Sequence, residues 1–272
     1  MSLTLTILGC GSSGGVPRIG GNWGACDPHN PKNRRRRASV LLQRKGDGDG
    51  GEKGKTHVLI DSSPDIREQL LSAGVGTIDA VIFTHDHADH THGIDDLRMA
   101  AFNAKRKVSV YFDETTRASL TSRFAYCFRS HPGSDYPPIL EPHDLHFGRP
   151  IDVGGKGGDI EILPLEQEHG SAHSLAIRVG NTAYCSDVSN FPPETLHRLR
   201  GVDTLIIGAL RYIPHPSHFT VRQALSWIER IRPKRAILTH LHIDLDYAAL
   251  KKELPSHVEP AYDGMTVDIA LP

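Results

Sequence analysis

The sequence predicts a mixed α/β fold of two pseudo-repeated halves, on three observations. Strand-like and helix-like segments alternate through both halves of the 272 residues, the pattern that lays helices over the faces of sheets. Neighbouring strand-like runs in each half are spaced closely enough to pair as hairpins. One strand end also recurs: AVIFTHDHAD (80–89) is echoed by AILTHLHID (236–244), each an apolar run followed by Thr-His, one residue, His, one residue and Asp. Nine residues constrain little, so chance is the standing alternative to an internal repeat.

The elements follow in order. LTLTIL (3–8) alternates and ends in a Gly-rich turn, and SVLLQR (39–44) and HVLID (57–61) are short strands flanking the charged, Gly-rich stretch 45–55, expected as a mobile loop. Residues 65–73 form a helix opened by Pro64 and closed by Gly74. DAVIFTH (79–85) is a buried strand and IDDLRMAAFN (94–103) a helix. VSVYF (108–112), a helix over 115–126 and an irregular Pro-rich stretch (131–150) complete the first half. The second half places strands at 160–166, 174–179, 182–187, 204–210 and 235–240, with helices at 193–199 and 221–231. No composition shift marks an internal boundary, so residues 1–272 are expected as a single domain.

With 38% apolar and 23% charged residues the chain can bury a substantial core, and its net charge of −1 provides no global attraction to nucleic acid or membrane. The N-terminal segment lacks the charged and apolar regions of a signal peptide, and no apolar run is long enough to span a bilayer. Four cysteines without a C-x-x-C pair favour reduced thiols and a cytoplasmic location. Histidine is the anomaly: seventeen, against three methionines and two tryptophans.

Most of these histidines read as ordinary polar residues: His57, His131, His143, His146, His197 and His257 carry no functional signal. The segment THDHADHTHG (84–93) is different, with four histidines and two aspartates directly behind AVIF. A loop leaving a buried strand turns alternate side chains toward one point, so His85 and His87 would share a cation while Asp89 and His90 reach a neighbouring one. Neutral imidazole with carboxylate suits Zn(II), Mn(II) or Fe(II) rather than Ca(II) or Mg(II).

This H-x-H-x-D-H run resembles the signature of the metallo-β-lactamase superfamily, and later motifs fall in that family's order over nearly the whole chain. LEQEHGS (165–171), YCSDVS (184–189) and ILTHLH (237–242) resemble the segments that carry its remaining ligands. The resemblance implies a four-layer αββα sandwich with two divalent metal ions per chain, zinc or manganese. One would be held by His85, His87 and His169, the other by Asp89, His90 and His240, with Asp187 between them. His92, His173 and His242 match no ligand position and read as supporting hydrogen-bonders or ordinary polar residues.

Such a pair of ions implies a hydrolase using a metal-bridging hydroxide, without naming its substrate. TILGCGSSGGVP (6–17), PHPSHFT (214–220) and the terminal DGM (263–265) resemble the phosphodiesterase branch of PhnP type, with tRNA 3′-processing nucleases more distant. That resemblance implies a small nucleotide-like or cyclic ribose phosphate as substrate, with catalytic roles for His218, as general acid, and Asp89. Substrate contacts are expected from Gly14, Gly15, Ser186 and His218. No membrane partner and no stable nucleic-acid complex are expected, and the resemblance suggests a homodimer. An acyl hydrolase (lactonase or thioesterase) and a tRNA-processing-like nuclease are the alternatives, although the loop at 46–54 is short for a tRNA-clamping arm.

Three features stand apart. G9-C-G-S-S-G14 formally matches a dinucleotide-binding G-x-G-x-x-G, but GVPRIGGN (14–22) cannot open the required helix; a tight turn offering backbone N–H groups to a phosphate is the remaining reading. RRRR (34–37) reads as a solvated face, with a phosphate clamp or RNA-facing patch as the functional alternative. Relatives of PhnP type hold a structural zinc with several cysteines, where GGNWGACDPHN (20–30) offers only Cys26, so no structural zinc is expected; Gly208 also stands where relatives often carry an acidic residue.

Overall fold

The computed structural model describes residues 2–46, 51–130, 132–133 and 135–270. Its first sheet begins with β1 (Ser2–Gly9), β2 (Ser39–Lys45) and β3 (Lys55–Ile60), paired antiparallel in sequence order, and continues in parallel through β4 (Ala80–Ile82), β5 (Val108–Phe112) and β6 (Leu140–Asp144). The second sheet repeats that plan. β7 (Ile151–Val153), β8 (Ile160–His169), β9 (Ala172–Val179) and β10 (Thr182–Cys185) pair antiparallel, followed in parallel by β11 (Thr204–Gly208), β12 (Arg235–Thr239) and β13 (Val258–Pro260). β14 (Thr266–Ile269) returns to the first sheet beside β1, bringing each sheet to seven strands.

Alternation explains how the sheets stack. Leu3, Leu5, Ile7, Val40, Leu42, Val58 and Ile60 point from the first sheet onto Ile162, Leu175, Ile177, Tyr184, Ile206 and Ile237 of the second, all buried in one apolar layer. Burying each such side chain is worth about 1.5–3 kcal/mol. The opposite faces carry helices. Leu41, Leu59, Val81 and Val110 pack under α1 (Ile66–Ala73), α3 (Leu97–Ala104) and α4 (Glu114–Arg123), while Leu205, Ile207 and Leu238 pack under α7 (Val221–Ile231). The four layers are therefore helix, sheet, sheet and helix.

α7 illustrates why these residues choose a helix. Val221, Ala224, Trp227, Ile228 and Ile231 form one buried stripe at helical spacing. Thr220 accepts from the Gln223 backbone N–H, and Gln223 reaches back to the Thr220 N–H, closing a capping box.

Several boundaries differ from the sequence expectation. The helix expected over 115–126 is α4 and the short α5 (Ala125–Phe128), separated at Phe124. The one expected over 94–103 opens with a 3₁₀ turn, Ile94–Asp96. Residues 131–150, expected to be irregular, contain β6. Of the loop expected at 45–55, residues 47–50 lie outside the described residues, whereas Lys45 ends β2, Gly51–Gly54 form a 3₁₀ turn and Lys55 opens β3. The solvated-face reading of Arg34–Arg37 is corrected: Arg35 is only 2% exposed, donating to the carbonyls of His242 and Leu245, while Arg36 and Arg37 pair with Asp263 and Asp65. Gly208 has a steric reason, since a Cβ there would lie 1.7 Å from the Ser186 carbonyl oxygen.

Candidate metal centre

The C-terminal ends of strands from both sheets meet at one edge. β4 leads through Phe83 and Thr84 to His85, and the next turn, α2 (Ala88–Thr91), carries Asp89 and His90. β8 ends on His169, β10 runs into Asp187, and β12 delivers His240. The expected seven residues converge. His85, His87, His169 and Asp187 form one group of donor atoms within 4.8 Å of one another; Asp89, His90 and His240 form a second, and Asp187, His218 and His240 a third.

Asp187 lies between the groups. Its Oδ2 faces His85 Nε2 at 3.9 Å and His169 Nε2 at 3.8 Å, while its Oδ1 faces His90 Nε2 at 3.1 Å and His240 Nδ1 at 3.2 Å. Yet His85 Nε2, His90 Nε2, His240 Nδ1 and Asp187 Oδ1 are buried without a hydrogen-bond partner among the described residues. Each buried orphan costs about 1–3 kcal/mol, so four together at one point need a common partner. Imidazole nitrogens with carboxylate oxygens form a donor set that fits divalent zinc or manganese.

Neighbouring groups fix which imidazole nitrogen is free. Asp61, just beyond β3, accepts from His90 Nδ1 at 2.7 Å and from the Thr84 N–H and hydroxyl at 2.8 Å each. The Ser217 carbonyl accepts from His169 Nδ1 at 2.7 Å. In both rings the proton is thereby held at Nδ1 and the Nε2 lone pair is turned inward. Asp61 and His240 adopt left-handed backbone at φ 62° and 57°, a conformation that non-glycine residues hold at functional sites when their surroundings enforce it.

The electrostatics agree with a ligand cradle. Burial pushes His85 and His169 below the ordinary histidine range, so both are neutral donors. Burial alone would raise Asp187, but His240, His90 and His85 outweigh it and keep the carboxylate ionised. For His90 burial acts downward, and the carboxylates of Asp187, Asp89 and Asp61 reverse it and raise its pKa, so a cation bound at Nε2 would take the place of a proton there.

His218 stacks on His240 with ring centroids 4.9 Å apart and meets His169 edge-on at 4.7 Å; its Nδ1 is 3.7 Å from Asp187 Oδ2. It is half-buried at the mouth, as is Asp89, beside the exposed His87. Burial, opposed by Asp187, lowers its pKa to about 3. Gly14 and Gly15 belong to the turn after β1, whose Ser12 N–H bonds the carbonyl of Leu241 beside His240. Ser186 is 1% exposed behind the cluster and its carbonyl abuts Gly208, so it does not reach the mouth where a substrate would arrive.

The three histidines that matched no ligand position in the sequence have polar partners outside the centre. His92 meets Arg123, His173 donates to Asp113 at 2.8 Å, and His242 lies 2.9 Å from Asp244. Cys26 directs its thiol at the carbonyls of Ile243 and Leu245. Asp61 and Thr84 went unassigned in the sequence; the available signal was a carboxylate closing the apolar strand HVLI, as Asp187 closes TAYCS.

The family described as "Beta-lactamase superfamily domain" matches residues 56–241. An octanoyltransferase of Porphyromonas gingivalis is 34% identical over 266 residues, which are 95% of this chain and 50% of that protein; the chain thus spans about half the length of its curated relative. A crystal structure described as a new diphosphatase from the PhnP family superposes with a TM-score of 0.86 at 35% identity, covering 99% of this chain and 98% of the other. The metallo-β-lactamase fold protein YhfI of Bacillus subtilis, at 18% identity and a TM-score of 0.71 over 98% of this chain and 100% of the other, shares the fold. Among the described residues no helix is long and apolar enough to cross a membrane.

Proposed function

This chain belongs to the metallo-β-lactamase superfamily, in its PhnP-type branch, and is a metal-dependent hydrolase; on that premise we propose that it cleaves a small phosphodiester, nucleotide-like or a cyclic ribose phosphate. The observation that carries the reading is Asp187 set between two groups of converging donors, with His85 Nε2, His90 Nε2 and His240 Nδ1 buried and unpartnered among the described residues. His85, His87 and His169 would hold one divalent ion and Asp89, His90 and His240 another, with Asp187 shared. When bound, such a pair lowers the pKa of water and neutralises charge on phosphoryl oxygens.

The chain's own residues supply the rest. Asp61 and the Ser217 carbonyl hold His90 and His169 in the tautomer that turns Nε2 inward. His218 turns Nδ1 toward Asp187, leaving Nε2 to give a proton to the departing alkoxide. An alkoxide is a poor leaving group, and a placed acid supplies about 10²–10⁴-fold. Because burial lowers the His218 pKa to about 3, the ring must take up a proton from solvent as the anionic substrate binds before it can act as the acid.

The octanoyltransferase activity is named for a protein twice this length. An acyl chain calls for an apolar cleft, whereas the groove between the glycine turn after β1 and residues 34–37 carries five arginines, Arg18 and Arg34 to Arg37, which favours the phosphoester. The test is hydrolysis of bis(p-nitrophenyl) phosphate by metal-loaded protein. Turnover that falls about 10²–10⁴-fold in His218→Ala with both metals retained supports the proposal. Loss of a metal in that variant would make His218 a ligand instead, as its grouping with Asp187 and His240 allows. Activity confined to thioesters or lactones would overturn the phosphodiester reading.

A further inference from the structure

The loop between β11 and α7 brings His218 to the mouth of the centre with little backbone support. Its ends are fixed where the Leu210 N–H bonds the Phe219 carbonyl and the Val221 N–H bonds that of Arg211. Between them, no residue of 212–218 enters a backbone–backbone hydrogen bond among the described residues. Pro214 and Pro216 have no N–H to offer. Side chains shape the loop instead.

Arg211 donates from Nε to the Ile213 carbonyl at 3.1 Å and from Nη2 to that of Pro214 at 3.3 Å. His215, half-buried, folds back on its own backbone. Its Nδ1 accepts the Ser217 N–H at 3.3 Å and lies 3.2 Å from the Ser217 hydroxyl. A backbone N–H can only donate, so this Nδ1 presents a lone pair and the ring is neutral. Burial, Arg211 and His240 all act the same way, holding His215 below the ordinary histidine range.

Ser217, so held, reaches the ligand set. Its carbonyl takes the His169 Nδ1 proton at 2.7 Å, the bond that leaves Nε2 facing Asp187. The residue after His169 is Gly170, at φ 66°, where a Cβ would stand 2.9 Å from Ser217 Cβ; the glycine lets the loop press onto the strand end. The His215 ring also packs against His218, centroids 5.0 Å apart, and His218 in turn meets His169 at 4.7 Å. One imidazole outside the ligand set thus braces both a ligand and the acid.

We infer that His215 is a positioning residue of the metal centre: by accepting the Ser217 N–H it sets the Ser217 carbonyl against His169 and holds His218 in place. This role deepens the hydrolase reading and rests on it for the ion at His169 and the acid at His218. What it requires is an acceptor two residues before the N–H, which asparagine also supplies. Asn22 and Asn30 of this chain accept the N–H groups of Gly24 and Lys32 in that arrangement.

The test compares His215→Phe, which keeps a ring and removes the acceptor, with His215→Asn, which keeps an acceptor and removes the ring. Zinc retention is read by chelator competition, without turnover. In His215→Phe one of the two ions should be held about ten-fold more weakly, the low end of the range for groups that orient a ligand. The other, held by Asp89, His90 and His240, should keep its affinity and so report the folded chains. His215→Asn should restore both, and in a His169→Ala background His215→Phe should cost nothing further. Cleavage of bis(p-nitrophenyl) phosphate should fall in His215→Phe and recover in His215→Asn. Retention unchanged in His215→Phe, weakened alike in both variants, or weakened additively with His169→Ala overturns the role of His215 and leaves the hydrolase standing. A split in retention between the two variants, with no diester cleaved by the wild type, keeps His215 and removes the phosphodiesterase. A wild type that holds no ion removes both.

Discussion

Single side chains decide whether the cluster is a metal cradle or merely a crowd of histidines. Asp61 receives the His90 Nδ1 proton and two Thr84 bonds, so Asp61→Asn should weaken metal retention by about 10–100-fold in chelator competition; unchanged retention would reduce Asp61 to a packing residue. Outside the centre, Asp65 carries a pH dependence. Burial would raise its pKa, but two Arg37 side-chain bonds and the Arg37 N–H outweigh burial and depress it. A depressed carboxylate stabilises the fold above its unfolded pKa of about 3.9 and loses that contribution as pH falls through the lower folded value. Asp65→Asn should therefore melt below the wild type at pH 7, with the gap closing toward pH 3; a gap independent of pH would refute the assignment. At this scale the sequence was legible where residue type and spacing coincide, as in His85 to His90. It was silent on Asp61, whose role depends on a partner 29 residues away.

Elements were legible in proportion to their length and period. The buried stripe and cap of α7 fix residues 221–231 from sequence alone. Three-residue strands such as β4, β7 and β13 offer no period; β7 went unread for that reason, and β13 and β14 because they exist through pairing with neighbours far along the chain. The helix expected over 115–126 divides because Phe124 leaves helical backbone, its N–H still bonded to the Leu120 carbonyl. The end of β11 is a matter of close approach. With the Ser186 carbonyl 1.7 Å from where a Cβ would stand, Gly208→Ala should force β10 and β11 apart at the strand end that leads to Asp187. Its expected cost is about 1–3 kcal/mol in denaturant unfolding, accompanied by weaker metal retention. A variant as stable and as metal-tight as the wild type would show that the strands separate freely.

At the scale of the whole molecule, two sheets of the same design bring distant segments to one edge. His85, His87, Asp89 and His90 come from the first, while His169, Asp187 and His240 come from the second. The four-layer arrangement was accessible through family resemblance, and the alternation of strands and helices agrees with it; the arginine groove, formed where the turn after β1 folds over residues 34–37, was not. The centre thus depends on the two sheets being packed together, and metal binding and folding should reinforce each other. The most direct measurement is the metal content per chain of purified protein, wild type against Asp187→Ala, by elemental analysis after equilibration with zinc or manganese and exhaustive dialysis. Two tightly held ions in the wild type, with loss of at least one on substitution, is the predicted result. A wild type that retains none, or a variant that retains both, would contradict it.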